Sequence, residues 1–187
     1  MQASDPSFRG WSPNDLSSYA VLWREPLCNQ LLQHLICTMP PPSSGGLALL
    51  QTLALLAQST NLPSSSAGEP KVWRQLARAQ AWANADRLYW VHDPIDGAVP
   101  AAALLDPAYI ASRARAMQHG NGSKPTPGLP PGIDRYPYGR PARGIEQGTT
   151  QITIVDSSGN IASYTSSVET IFGSRHLVGG MVMNNQL

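Results

Sequence analysis

The chain has 187 residues, of which 13% are charged, and its 13 Lys and Arg against 12 Asp and Glu leave a net charge of +1. That length fits one domain, or one and a piece, and so small a charge gives no field to gather nucleic-acid phosphates, which excludes nucleic acid as an expected partner. With 16 Gly and 17 Pro the composition also excludes a helical bundle or a coiled coil.

The first residues, Met1 to Pro6, carry neither a basic start nor an apolar run, so no signal peptide is expected there. Ser12-Pro13-Asn14-Asp15 supplies a cap hydroxyl, a proline for the first helical position and an acid three residues after the serine. It predicts a short helix to about Trp23, ended by Arg24-Glu25-Pro26. Asn29 to Met39 is apolar with scattered polar residues and fits either a strand or a helix. Cys28 and Cys37 form no CxxC and have no matching His pair, so they read as small core residues rather than a zinc site or a disulfide framework. Pro40-Pro41-Pro42 predicts an extended arm, and Ser43 to Gly46 then caps a helix on which Leu47, Leu50, Leu53 and Ala54 recur at helical spacing. This stretch, Leu47 to Ala57, is the longest apolar one. It contains Gln51 and Thr52 and falls short of the roughly 18 residues of a bilayer span.

After a breaker cluster from Pro63 to Gly68, Glu69-Pro70 opens what should be the longest helix, with Val72, Leu76, Ala79 and Ala83 on one face and an end before Asp93-Pro94. Asp106-Pro107 opens another, carrying Tyr109, Ile110, Ala114 and Met117 and stopping near His119-Gly120. From His119 to Gln147 six Pro and six Gly fall without any apolar period, which reads as a linker or exposed loop. It contains the glycosylation triplet Asn121-Gly122-Ser123. Thr150 to Val155 and Ile161 to Val168 alternate with β-branched residues around the turn-forming Asp156 to Asn160, which predicts a β-hairpin, and Leu177 to Met183 predicts a third strand. Helices followed by a loop and an antiparallel meander argue for an α+β fold rather than a parallel doubly wound sheet. No Walker loop, GxGxxG, GxSxG or HExxH occurs, and His34, His92, His119 and His176 have neither ligand nor triad spacing, so no cofactor or metal is expected.

Chemistry concentrates at Gly148-Thr149-Thr150, where loop gives way to strand. With the turn centred on Ser158, Thr149 lies opposite Ser167, and Glu169 shares that face because side chains alternate. A two-residue turn at Ser158-Gly159 would put Val168 opposite instead. A threonine hydroxyl needs an adjacent base to be a nucleophile. An N-terminal threonine has its own α-amine, with a pKa of roughly 7.7 to 8.0. That requires cleavage of the Gly148-Thr149 bond, and Gly148 can take a strained backbone that offers its carbonyl to the next hydroxyl. By spacing alone, a Thr-Thr pair opening a strand is structural.

The run Gly148 to Asp156, then Gly159-Asn160, Phe172-Gly173-Ser174 and Met183-Asn184-Asn185-Gln186, closely resembles the start of the small subunit of γ-glutamyltranspeptidases (glutathione hydrolases). Met39-Pro40-Pro41-Pro42-Ser43-Ser44-Gly45-Gly46 resembles that family's large-subunit signature, and Asp15-Leu16, Tyr19, Arg24-Glu25-Pro26, Ala85-Asp86-Arg87 and Asp93-Pro94 match its pattern in order. The resemblance runs from about Phe8 to Leu187 and implies an N-terminal-nucleophile hydrolase, an αββα sandwich whose precursor cleaves itself before Thr149. The implied organisation is the end of a helical large subunit over 1–118, a loop over 119–148 leading to the cleavage site, and the start of the small subunit over 149–187. It implies Thr149 as the nucleophile and Ser167 as the residue that hydrogen-bonds it. The implied partners are glutathione or other γ-glutamyl compounds, an acceptor amino acid, peptide or water, and a large–small subunit heterodimer.

Glu169 stands where typical members carry an asparagine that helps hold the substrate α-amino group. A carboxylate pairs with an ammonium more strongly, or serves an altered substrate, as in acylase-like relatives that take glutaryl or cephalosporin-type compounds. An unprocessed, non-catalytic homologue is a further alternative. Gln186 matches another contact to that amine. The family's large-subunit arginine, the aspartate that partners Gln186, the later serine pair and the oxyanion glycine pair have no counterparts here. The chain therefore reads as about a third of a longer protein, inactive by itself and with exposed sheet edges. A periplasmic or secreted location follows from the resemblance, with a cytoplasmic one as the alternative.

Overall fold

A computed structural model describes residues 14, 17–31, 33–58, 68–92, 98–120, 124–133 and 148–185. The chain divides into two compact units, Met1–Pro141 and Ala142–Leu187. The expected cap at Ser12, most of the breaker cluster after Pro63, the triplet at Asn121 and the residue Gln186 lie outside the described residues.

In the first unit Asn14 and Ser17 are helical, but Tyr19 to Pro26 has no regular structure, so the helix expected to reach Trp23 does not. The hydroxyls of Ser17 and Ser18 both donate to the Asn14 carbonyl, at 3.1 and 2.6 Å, local bonds that compete with helix propagation. Trp23 is 95% exposed among the described residues, and short helices without tertiary packing are marginal.

The ambiguous segment is a hairpin: β1 (Leu27–Leu31) pairs antiparallel with β2 (His34–Thr38), and Gln33 in the tight turn takes a φ of 67°. Its inner face carries Leu27 and Leu31, each packed against a helical cluster. The register sets Cys28 opposite Cys37 on the outer face, with Cα atoms 4.1 Å apart and the sulfurs bonded. The cysteines are therefore an exposed cross-strand disulfide and not core residues, because alternation along both strands turns them away from the helices. Pro41 and Pro42, joined by a cis peptide, make a turn instead of an extended arm; X-Pro bonds prefer trans only weakly.

Among the described residues, four helices follow: α1 (Ser44–Ala57), α2 (Pro70–Trp90), the single turn α3 (Ala101–Leu104) and α4 (Pro107–His119). Prolines at the first turn start α2 and α4. Asp106 caps α4 by accepting from the Ala108 and Tyr109 amides at 2.9 and 3.0 Å. One apolar cluster joins Ala54, Leu55 and Leu56 of α1 to Ala79, Trp82 and Ala83 of α2 and Ile110, Ala114 and Met117 of α4. A second joins Leu47, Trp90, Leu104 and Tyr109. Burial of each large side chain contributes about 1.5–3 kcal/mol.

On α2, Asp86 is buried among polar partners. Its carboxylate accepts from Gln51 at 3.2 Å, the Tyr109 hydroxyl at 3.0 Å and the Gly128 amide at 2.8 Å. It pairs with Arg113 at 2.9 Å. Burial pushes the Asp86 carboxyl up, against the pull of the Arg113 charge and of these donors. Arg113 lies over the Trp82 ring, 4.5 Å from its centroid, and donates to the Thr126 carbonyl at 2.8 Å. The Trp90 indole donates to the Gly128 carbonyl at 3.0 Å. Residues 124–133, expected to be an exposed linker, are thus pinned: both backbone groups of Gly128 are held by α2, and Pro130 is buried. A Cβ at Gly128 would strike the Tyr109 hydroxyl and Arg113.

In the second unit β3 (Thr150–Val155) and β4 (Ile161–Ser166) pair antiparallel from Thr150↔Ser166 to Val155↔Ile161. Asp156 closes the turn by accepting from the Ser158 and Asn160 amides, both at 2.8 Å, and from the Asn160 side chain at 2.7 Å. The Asn160 bonds foremost hold its carboxyl below its ordinary value. Every residue of both strands is exposed. The expected third strand is instead a separate small hairpin, β5 (Leu177–Val178) and β6 (Met181–Val182). Gly179 and Gly180, with φ of 58° and 85°, supply the left-handed pair of a two-residue turn, which folds the segment back on itself. Helices and antiparallel strand pairs place the chain in the α+β class.

Candidate active site

Gly148 and Thr149 lead into β3, and Ser167 follows β4. Of the two registers open to the hairpin, the observed one centres the turn on Ser158 and carries Thr149 to Ser167. The Thr149 hydroxyl donates to Ser167 Oγ at 3.1 Å, and Ser167 Oγ donates to the Gly148 carbonyl at 2.8 Å. The Glu169 amide donates to the same Ser167 Oγ at 3.0 Å. A hydroxyl has one proton and two lone pairs, so these three bonds exhaust it and commit its proton to the Gly148 oxygen.

Thr149, Ser167, Gly148 and Glu169 therefore converge, Glu169 through its backbone. Its φ of 69° lies in the left-handed region, so the strained residue at this junction is Glu169, whereas Gly148 has no such backbone. Leaving β4 in this bend turns the Glu169 amide onto Ser167. Among the described residues the Glu169 carboxylate has no hydrogen-bond or ion-pair partner, and Gln186 lies outside them.

Two residues of this site were not singled out as site residues in the sequence. Asn184 donates from Nδ2 to the Ser167 carbonyl at 2.7 Å. Asn185 Oδ1 accepts from the Thr170 amide and hydroxyl at 3.2 and 3.1 Å. The sequence signal for them is their place in the run Met183-Asn184-Asn185-Gln186, which carries the family resemblance without assigning either a role. Among the described residues, no three His, Cys, Asp or Glu side chains are grouped to hold a metal. No described helix is long and apolar enough to cross a membrane. The arrangement links the Thr149 hydroxyl, through Ser167 Oγ, to the carbonyl oxygen of the residue before it, which already accepts a hydrogen bond.

The family model described as gamma-glutamyltranspeptidase matches residues 10–187. The chain is 34% identical over 181 residues to the glutathione hydrolase proenzyme of Bacillus subtilis subsp. natto, covering 92% of this chain and 31% of that protein. It is 30% identical over 175 residues to the Acylase ACY 1 proenzyme of Pseudomonas sp. strain SE83, covering 92% of this chain and 29% of that one. Among solved structures, Helicobacter pylori gamma-glutamyltranspeptidase matches with a TM-score of 0.56 and 31% identity, over 62% of this chain and 34% of that chain. The chain thus spans about a third of the length of the curated relatives it matches. A match over nearly every residue, reaching from the helical unit through the Thr149 junction, establishes that the chain belongs to the gamma-glutamyltranspeptidase family.

Proposed function

We propose that the complete protein is a gamma-glutamyltransferase/glutathione hydrolase that cleaves itself before Thr149 and then uses Thr149 as its nucleophile. The observation that carries this reading is the hydrogen-bonded chain from Thr149 Oγ1 through Ser167 Oγ to the Gly148 carbonyl. In the precursor, Thr149 Oγ1 attacks the Gly148 carbonyl carbon while the Ser167 proton stabilises the negative charge growing on its oxygen. The Thr149 nitrogen leaves with the proton given up by the hydroxyl, which yields an ester between Gly148 and Thr149 Oγ1 and a free α-amine. Water hydrolyses that ester to the Gly148 carboxylate and regenerates the Thr149 hydroxyl.

The freed amine, with a pKa of roughly 7.7 to 8.0, then serves as general base at neutral pH. Thr149 Oγ1 attacks the γ-carbonyl of glutathione or another γ-glutamyl compound, the amine of the donor departs, and the acyl-enzyme is resolved by water or an acceptor amine. Glu169, with Gln186, takes the substrate's α-ammonium, a charge-assisted pairing suited to a carboxylate. Residues 1–118 and 119–148 belong to the large subunit and 149–187 to the small one, the two held as a heterodimer after cleavage. A piece of the small subunit as short as this one buries too little to fold alone.

A second reading, a glutaryl- or cephalosporin-type acylase, is supported by the similarity to the Acylase ACY 1 proenzyme and by the carboxylate at Glu169. The complete protein given γ-glutamyl-p-nitroanilide and glutaryl-p-nitroanilide separates them. Preferred turnover of the first, lost in Thr149→Ala, is expected. Preferred turnover of the second selects the acylase, and turnover of neither by an uncut chain points to a non-catalytic homologue.

A further inference from the structure

Ser167 can orient Thr149 only if Ser167 is itself held, and the β-ladder does not hold it, because β4 ends at Ser166. Restraint comes from the segment after β6. Asn184 Nδ2 donates to the Ser167 carbonyl at 2.7 Å, fixing the backbone of the very residue whose hydroxyl bridges Thr149 and Gly148. Asn185 Oδ1 receives both the amide and the hydroxyl of Thr170, at 3.2 and 3.1 Å. The Thr170 hydroxyl also lies 3.1 Å from the Gly173 carbonyl. The bend from Ser167 to Thr170, with Glu169 left-handed inside it, is thereby fastened at both ends by adjacent amides. The Ser174 amide donates to the Met183 carbonyl at 2.8 Å and the Met183 amide to the His176 carbonyl at 3.0 Å, which fixes the backbone that presents the two asparagines.

We propose that Asn184, supported by Asn185, is a positioning residue for the Thr149 centre: it sets the Ser167 hydroxyl in line between the nucleophile and the scissile carbonyl without touching either. This rests on the proposed cleavage between Gly148 and Thr149. Displacement of reacting groups by about 1 Å costs on the order of a hundredfold in rate, so loss of the Asn184 donor should slow cleavage by roughly tenfold to a hundredfold. Asn185, one residue further from Ser167 along the bend, should matter less.

The test follows precursor cleavage by intact mass in the complete protein, with melting temperature measured in parallel, for the wild type, Asn184→Ala, Asn184→Asp and Thr149→Ala. Asn184→Asp keeps the size of the side chain and removes the donor. It should be slow near pH 8, and its rate relative to wild type should rise as pH falls toward the ordinary aspartate pKa of about 3.9 and the carboxyl regains a proton to donate. In the cleaved enzyme, Asn184→Ala should lower kcat with KM little changed. Wild-type rates in both Asn184 variants, beside a wild type that cleaves and a Thr149→Ala chain that does not, would overturn the positioning role alone. So would slow cleavage with a pH-independent ratio and a lowered melting temperature, which marks a purely structural residue. A wild type that stays uncut would overturn the cleavage reading and this inference with it.

Discussion

The two units use polar side chains in opposite ways, and their two best-bonded carboxylates make the contrast concrete. Asp86 is buried between helices, shares both oxygens among Gln51, Tyr109, Gly128 and Arg113, and has its carboxyl pushed up by burial. Asp156 accepts its bonds in an open turn, and its carboxyl is pushed down because the Asn160 donors foremost outweigh a smaller desolvation. In the first unit the polar network is enclosed by two apolar clusters and fixes the fold. In the second every residue of the paired strands β3 and β4 is exposed in this chain, and the hydrogen bonds at Thr149 and Ser167 lie at the exposed end of that hairpin.

The sharpest way to break this contrast is to unpair the buried network. Arg113→Met should leave the Asp86 carboxylate enclosed without its cation and cost about 3–5 kcal/mol, read as a lower urea midpoint of the complete protein. A loss as small as that of an exposed pair, up to about 1 kcal/mol, would mean the network is not enclosed. Next in size is the outer-face disulfide. Replacing Cys28 and Cys37 by serine should cost about 2 kcal/mol by freeing a short loop in the unfolded chain, while Leu27 and Leu31 keep the hairpin seated. A variant with unchanged stability would show that the inner face alone suffices.

The smallest effect is pH dependence, and the two carboxylates should show it with opposite signs. A carboxyl raised in the folded state contributes stability below its unfolded pKa that is lost as pH rises through the folded value. A lowered one contributes stability above its unfolded pKa that is lost as pH falls through the folded value. Melting followed from about pH 3 to 7 should therefore lose the first dependence in Asp86→Asn and the second in Asp156→Asn. Equal profiles in the two variants would remove the distinction between the units.

Much of this was legible locally. The starts of α2 and α4 follow from Glu69-Pro70 and Asp106-Pro107, and their buried stripes from residues three and four apart. The register that joins Thr149 to Ser167 is one of the two that the turn of Asp, Ser, Gly and Asn left open, and the structure selects it. What escaped depends on distant or context-set contacts. The disulfide becomes readable only once Leu27–Leu31 and His34–Thr38 are known to pair, since the same stretch of sequence fits a helix. The pinning of Gly128 needs Asp86, 42 residues earlier in the chain. Asn184 meets Ser167 across a bend that no ladder periodicity describes. Gly179-Gly180 did carry a turn signal, outweighed by the β-branched and apolar residues beside it.

The most direct measurement is the intact mass of the complete protein over time, wild type beside Ser167→Ala. The account requires the wild type to separate into two products between Gly148 and Thr149, and Ser167→Ala, lacking the proton on the Gly148 oxygen, to do so more slowly by on the order of a hundredfold. A wild type that remains one chain, or a Ser167→Ala variant that splits at the wild-type rate, would contradict it.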